Sequence, residues 1–235
     1  MIIHVYSIVR NDSYILPYFL RHYSTFADKI FIFDDHSTDD TREIASRTPN
    51  VECLPFEYNR GMNEEDFNDC FEKSYKKYSR GVADWVICVD SDELIYSPNI
   101  KEALAGHRER GHQILKSTGY MMVSEKLPSC TGQIYEESNL GVKFPGYDKP
   151  VIFDPSLDIK FGEGRHSVTP PKGVKIEKAE ILLLHYRYLS RDYFIKRSEV
   201  LYERIGMDDS MKKYRMTRGL DWYDRHLRSK LTKVL

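Results

Sequence analysis

Residues 30–41 read Ile30-Phe31-Ile32-Phe33-Asp34-Asp35-His36-Ser37-Thr38-Asp39-Asp40-Thr41, an apolar run that ends in four aspartates. Four large apolar residues in a row leave no polar face, so this strand belongs in a sheet covered on both sides. Carboxylates crowded at the end of a buried strand repel one another, and some partner has to offset that cost. Three chemistries can do so: a bound metal ion, a helix cap, or a reader of a hydrogen-bond donor.

Outward from this stretch, strands and helices alternate. Ile2 to Val9 reads as a strand, followed by the loop Arg10-Asn11-Asp12-Ser13. Ile15, Leu16, Phe19, Leu20, Tyr23 and Phe26 recur at helical spacing. Lys29 to Phe33 forms the second strand, Thr41 to Arg47 a short helix and Val51 to Phe56 a third strand. Phe67, Cys70, Phe71, Ser74, Tyr75 and Tyr78 mark another amphipathic helix, and Asp84 to Val89 a fourth strand too apolar to face water. This alternation to about residue 125 predicts an α/β protein with a mostly parallel central sheet flanked by helices. Ligands of such sheets bind beyond the carboxyl ends of the strands.

A second acidic cluster, Asp90-Ser91-Asp92-Glu93, ends the fourth strand on the same rim. In extended backbone, residues i and i+2 point to one side, so Asp90 and Asp92 can converge. Two hard oxygen ligands with room for water and phosphate suit Mg²⁺ or Mn²⁺. A polar turn in which Asp92 caps a following helix is the plainer reading of the same residues. Ser37, Thr38 and Asp39 are strong N-cap types for the helix after Thr41, and Asp39 and Asp40 favour its positive end.

Beyond residue 125 glycine and proline punctuate the chain, with short β segments at Val151-Ile152-Phe153 and Ile181 to Leu184. A helix is expected from Ser190, with Phe194, Leu201 and Ile205 on one face. Residues 191–235 hold 12 Lys+Arg against 7 Asp+Glu, a local excess that reads as a solvated helical tail or as a phosphate or acidic-membrane contact. The whole chain of 235 residues has a net charge of −1, which gives no general attraction for nucleic acid. Cys53, Cys70, Cys88 and Cys130 show neither close pairing nor metal-type spacing, so free thiols in a reducing compartment are expected. No charged leader precedes the first strand and no run is long enough to span a bilayer. The expectation is a cytoplasmic location, with peripheral contact at the inner face of the membrane left open.

Val5 to Asp12, the strand end Phe33 to Thr41, and Asp90-Ser91-Asp92-Glu93 resemble, in order and spacing, the glycosyltransferases of family 2-like type. Gly164-Arg165-His166-Ser167 and Leu184-His185-Tyr186-Arg187-Tyr188-Leu189 resemble a bacterial subgroup of that superfamily with an Asp-x-Asp motif. The resemblance implies the GT-A (nucleotide-diphospho-sugar transferase) fold over residues 1–189, with 1–125 as the nucleotide-sugar-binding half, 126–189 as the acceptor half, and 190–235 as a helical C-terminal extension. It implies a metal-dependent, inverting transfer from a nucleotide sugar, UDP-linked by preference, to a hydroxyl acceptor such as a glycan or lipid-linked saccharide. Asp92 becomes the principal ligand of Mn²⁺ or Mg²⁺, Asp90 shares the metal or contacts ribose, and His185 completes the sphere, with His166 as competitor. Asp35 accepts a hydrogen bond from the base, Arg10, Asn11 and Asp12 line its pocket, and Asn68 or Arg60 contacts sugar or phosphate.

An inverting transferase needs a group that takes the acceptor hydroxyl proton. Glu136, Glu137, Asp148, Glu163 and His166 are the candidates, and Gly162-Glu163-Gly164-Arg165-His166 is the most site-like, since glycine permits close backbone approach. The Glu-Asp acceptor motif common in the family is absent, which leaves the base and the stereochemistry open. A nucleotidyltransferase is disfavoured because Ser7 to Asp12 holds no glycine for a phosphate loop. The remaining alternative is a GT-A-like nucleotide-binding protein without turnover.

Overall fold

The structure, a computed structural model, describes residues 1–57, 64–129, 131–229 and 231–235. Arg60 and Cys130 lie outside the described residues. The first half follows the expected alternation: β1 (Ile3–Val9), α1 (Leu16–Tyr23), β2 (Lys29–Asp34), α2 (Thr41–Arg47), β3 (Val51–Pro55), α3 (Glu64–Tyr78) and β4 (Trp85–Cys88). Then come β5 (Glu93–Tyr96), α4 (Ile100–Glu109) and β6 (Ile114–Val123). The glycine- and proline-punctuated half holds α5 (Ile134–Glu137), β7 (Leu140–Lys143), β8 (Ile152–Phe153), β9 (Lys160–Phe161), β10 (Val168–Thr169) and the long β11 (Ile176–Tyr188). The chain closes with α6 (Arg191–Arg204), α7 (Asp209–Leu227) and β12 (Thr232–Lys233).

The main sheet runs β12-β7-β6-β8-β4-β1-β2-β3, with β11 beside β6 and β5 beside β11. The β4-β1-β2-β3 portion is parallel throughout, and β11 is parallel to β6; β8 runs antiparallel between β4 and β6. Registers Val9↔Asp34 and Tyr6↔Cys88 bring the carboxyl ends of β1, β2 and β4 to one rim. The unbroken apolar run of β2 follows from helices on both faces: Ile30 and Ile32 pack in one core with Phe19 and Trp85, Phe31 and Phe33 in the other with Phe71 and Tyr75. A third cluster, Met121, Val123, Tyr188, Phe194 and Tyr223, fastens α6 and α7 to the sheet.

Three local expectations change. Asp92 caps no helix, because β5 starts at Glu93 and pairs with β11. Asp40, at the N-cap position of α2, makes no side-chain cap bond. Asp39 instead accepts the Thr41 N–H at 3.0 Å and the Ser13 N–H at 3.1 Å, while the Ser37 hydroxyl accepts the Asn11 N–H at 3.0 Å. The polar run after β2 therefore staples two loops together as well as starting a helix. The C-terminal helix divides in two at Gly206, whose φ of +61° suits glycine and ends α6. Cys53, Cys70 and Cys88 are free thiols. Among the described residues no helix is long and apolar enough to cross a membrane.

Candidate active site

A cleft of about 210 Å³ opens on the rim where β1, β2 and β4 end, lined among others by Phe67, Asp90, Asp92, Lys149, His166 and His185. A larger depression of about 970 Å³ lies by α4, but Asp90 and Asp92 line only the first, as does Arg204, which pairs with Asp35.

Asp92 is placed by the strand that follows it. β5 pairs antiparallel with β11 in the register Glu93↔His185, and the Tyr186 N–H donates to the Asp92 carbonyl at 2.7 Å. The His185 Nε2 then lies 3.5 Å from Asp92 Oδ1, with both side chains buried. Burial pushes the Asp92 carboxyl upward, but His185, Arg197 and Arg187 outweigh it and hold it well below the carboxylate range. Tyr147 packs its ring 4.2 Å from that of His185. Its backbone can lie there because Gly119 in β6 faces it; a Cβ at Gly119 would sit 2.4 Å from the Tyr147 carbonyl carbon.

Asp90 meets different partners. Arg165 forms a charge-assisted hydrogen bond to Asp90 Oδ1, and the Lys149 Nζ stands 4.0 Å from Oδ2. Two successive left-handed residues, Gly164 at φ +58° and Arg165 at φ +57°, turn the Arg165 side chain inward over the Phe71 ring. Lys149, 2% exposed, is bound to the fully buried Glu93 at 2.6 Å.

The first acidic strand end behaves differently again. Asp35 is fully buried and faces Arg204 at 2.8 Å, His36 at 3.2 Å and Arg10 at 3.5 Å. Asp12 is buried, accepts the Ser91 hydroxyl at 2.7 Å and pairs with Arg197 at 2.6 Å. Burial raises its pKa, and Arg197 and Ser91 offset that only in part. Asn11 accepts from the Thr38 N–H at 2.8 Å, and Asp34 from the Ser37 N–H at 3.4 Å, so both brace loops.

The candidate bases separate clearly. His166 lines the cleft, and its Nδ1 lies 2.6 Å from the Gly146 carbonyl; Nδ1–H must be the donor, which leaves Nε2 free to accept a proton. Burial and then Lys149 lower its pKa, so the ring is neutral at pH 7. Glu163 is exposed and outside the residues that line the cleft. Glu137 accepts the Ser129 N–H and Asp148 the Gly119 N–H, both away from the cavity. Asn68 donates to the carbonyls of Phe161 and Gly162, a brace between α3 and β9.

Whether these residues suit a divalent cation rests on Asp92 and His185. His185 Nδ1 is buried and has no hydrogen-bond partner among the described residues. The pair offers one hard oxygen and one imidazole, while Asp90 is engaged by cations. Among the described residues no group of three His, Cys, Asp or Glu side chains gathers to hold a metal. Two protein ligands completed by phosphate oxygens and water are a set that Mg²⁺ and Mn²⁺ accept.

Sequence reasoning passed over Arg197 and Arg204, which reach into the cleft from α6. Their signal is present: both sit among Phe194, Leu201 and Ile205 on the helix stripe that faces the protein. Two arginines inside an apolar stripe have to find buried carboxylates, and here they find Asp12 and Asp35.

Residues 18–123 match the family model described as Glycosyl transferase family 2. Among curated proteins none matches by sequence. Similar solved structures include S. aureus TarS 1–349 in complex with UDP-GlcNAc, 18% identical over 94% of this chain and 72% of that one, at a TM-score of 0.47. A longer S. aureus TarS chain is 19% identical over 90% of this chain and 41% of its own, at 0.49. Glucosyl-3-phosphoglycerate synthase from Mycobacterium tuberculosis, in complex with Mn²⁺, UDP and glucosyl-3-phosphoglycerate, is 17% identical over 89% of this chain and 81% of its own, at 0.44. The family match spans residues 18–123, which carry both acidic strand ends with β2 and β4, so over that segment the chain is similar to glycosyl transferase family 2.

Proposed function

We propose that this chain transfers a sugar from a nucleoside diphosphate sugar, UDP-linked by preference, to a hydroxyl acceptor such as a glycan or lipid-linked saccharide. The observation that carries the reading is that Asp92 lines the cleft while Asp35, at the end of β2 two strands away on the same rim, is joined to it through Arg204, all in a sheet largely covered by the family match. Asp35 would accept the ring N–H of the base, with Arg10 at its side. Asp92 and His185 would hold Mn²⁺ or Mg²⁺, which when bound supplies Lewis-acid stabilisation of the diphosphate leaving group.

The remaining roles belong to the chain itself. Arg165, Arg187 and Arg197 bring positive charge to the cleft wall, where negative charge grows on the departing diphosphate. Asp90 orients Arg165 and Lys149 rather than standing free, and Glu93 holds Lys149 in place. His166 would take the acceptor proton at Nε2, its other nitrogen fixed by Gly146. Residues 190–235 complete the catalytic unit of 1–189 by lending Arg197 to its floor.

A thermal-shift panel of UDP, GDP, CDP and TDP, each with Mn²⁺ and with chelator, tests the proposal. At about 100 times Kd, one of them should raise Tm by roughly 5–10 °C with Mn²⁺ present. The gain should shrink on chelation. If no nucleotide moves Tm with the metal present, the transferase reading fails.

A further inference from the structure

α6 does something in this cleft that a solvated tail cannot do. Arg197 and Arg204 lie seven residues, two turns, apart on α6 and project to the same side. Arg197 reaches Asp12 and approaches Asp92 to 4.0 Å. Arg204 goes farther along the rim: its Nε donates to Asp35 Oδ2 at 2.8 Å, and its guanidinium carbon stands 4.3 Å from the centroid of the Phe67 ring. Phe67, from α3, thus forms the wall opposite the carboxylate.

Those two contacts describe what a nucleobase offers. Uracil and guanine are flat, carry a ring N–H that a carboxylate can accept, and stack on aromatic faces. The guanidinium is the side chain that imitates all three features, being planar, rich in N–H donors and able to stack on an aromatic ring. It is held at a cost, since burial lowers the Arg204 pKa despite the adjacent Asp35. The carboxylate does not depend on it alone, because Arg10 and His36 also face Asp35. The helix ends at once after Arg204, at Ile205 and the left-handed Gly206, so Arg204 stands in its last turn.

We propose that Asp35 and Phe67 form the nucleobase subsite, that Arg204 occupies it as an internal surrogate for the base, and that the last turn of α6 withdraws to admit the donor. The proposal rests on the reading of Asp35 given under Proposed function and adds to it the stacking residue and a built-in competitor. It selects a base with an N–H on its pairing edge and makes donor affinity depend on the position of α6.

The test compares UDP with inorganic pyrophosphate, both titrated with Mn²⁺ into the full chain by calorimetry. Pyrophosphate has no base, so it reports the phosphate and metal site alone. Arg204→Ala should bind UDP about 5-fold or more tightly than the unmodified chain and leave pyrophosphate affinity unchanged. Adding Phe67→Ala to Arg204→Ala should weaken UDP about 5-fold or more, the low end for loss of one base–aromatic stack, again sparing pyrophosphate. Weaker or equal UDP binding by Arg204→Ala, or an equal gain for pyrophosphate, overturns the proposal. A second measurement needs no variant: the Arg204 Nε–H resonance, protected by Asp35, should lose its protection as UDP and Mn²⁺ are added. Retained protection at saturation also overturns it. Should UDP bind neither protein, the function reading falls with it; should UDP bind without these effects, only the surrogate falls.

Discussion

Lys149→Met should lower the unfolding free energy by about 3–5 kcal/mol, the usual cost of leaving a buried charge without its partner. Lys149 is 2% exposed and Glu93 fully buried, with 2.6 Å between Nζ and Oε1. Removal of the ammonium strands the carboxylate in a site that water does not reach. The backbone at Lys149 is itself held in place, since its carbonyl accepts both the N–H and the hydroxyl of Ser117 at 3.1 Å. The side chain therefore cannot be replaced by local rearrangement. Replacing both partners, as Lys149→Met with Glu93→Leu, should recover part of the loss, limited by the Asp90 N–H that Glu93 also accepts at 3.2 Å. Urea unfolding of the two variants checks this. A loss below about 1 kcal/mol for Lys149→Met would mean that the pair is not structural.

The largest effect on turnover is expected at Asp92. Asp92→Asn keeps the shape of the side chain but removes the charge that, with His185, would hold the cation at the departing diphosphate, and kcat should fall on the order of 10²–10³-fold. His166→Gln should act on a different step. Catalysis by a neutral imidazole is lost as pH falls through its pKa, and burial places that pKa below the ordinary value of 6.5. The unmodified chain should therefore keep its rate to below pH 6.5 and then decline. His166→Gln should be slower at every pH and lack that acid limb. Rate profiles of the three proteins with a fixed donor separate the roles. An acid limb retained in His166→Gln would assign the base elsewhere.

Much of the fold was legible because its signals are local. An apolar run such as Ile30 to Phe33 can only be a strand with cover on both faces, and the two cores divide its side chains as that predicts. Asp35, Asp90 and Asp92 stand out because carboxylates at buried strand ends need partners. What the sequence hid is non-local. The proximity of Asp92 to His185 depends on the pairing of β5 with β11 across about ninety residues of chain, and a four-residue strand after an acidic turn leaves little signal. Glu163 looked site-like because glycines flank it, yet Gly164 serves Arg165, which the left-handed turn brings inward in its place. The basic excess after residue 190 was counted as a whole, although Arg197 and Arg204 face the cleft. Lys213 on α7 is exposed and Lys212 half-buried.

One cleft is proposed to hold the base at Asp35 and the diphosphate at Asp92. A structure determined with UDP and Mn²⁺ tests it most directly. The uracil ring N–H should lie on Asp35 and the ion should be bound by Asp92 and His185. UDP seated away from the Asp35 rim, or Mn²⁺ held without Asp92, would contradict it.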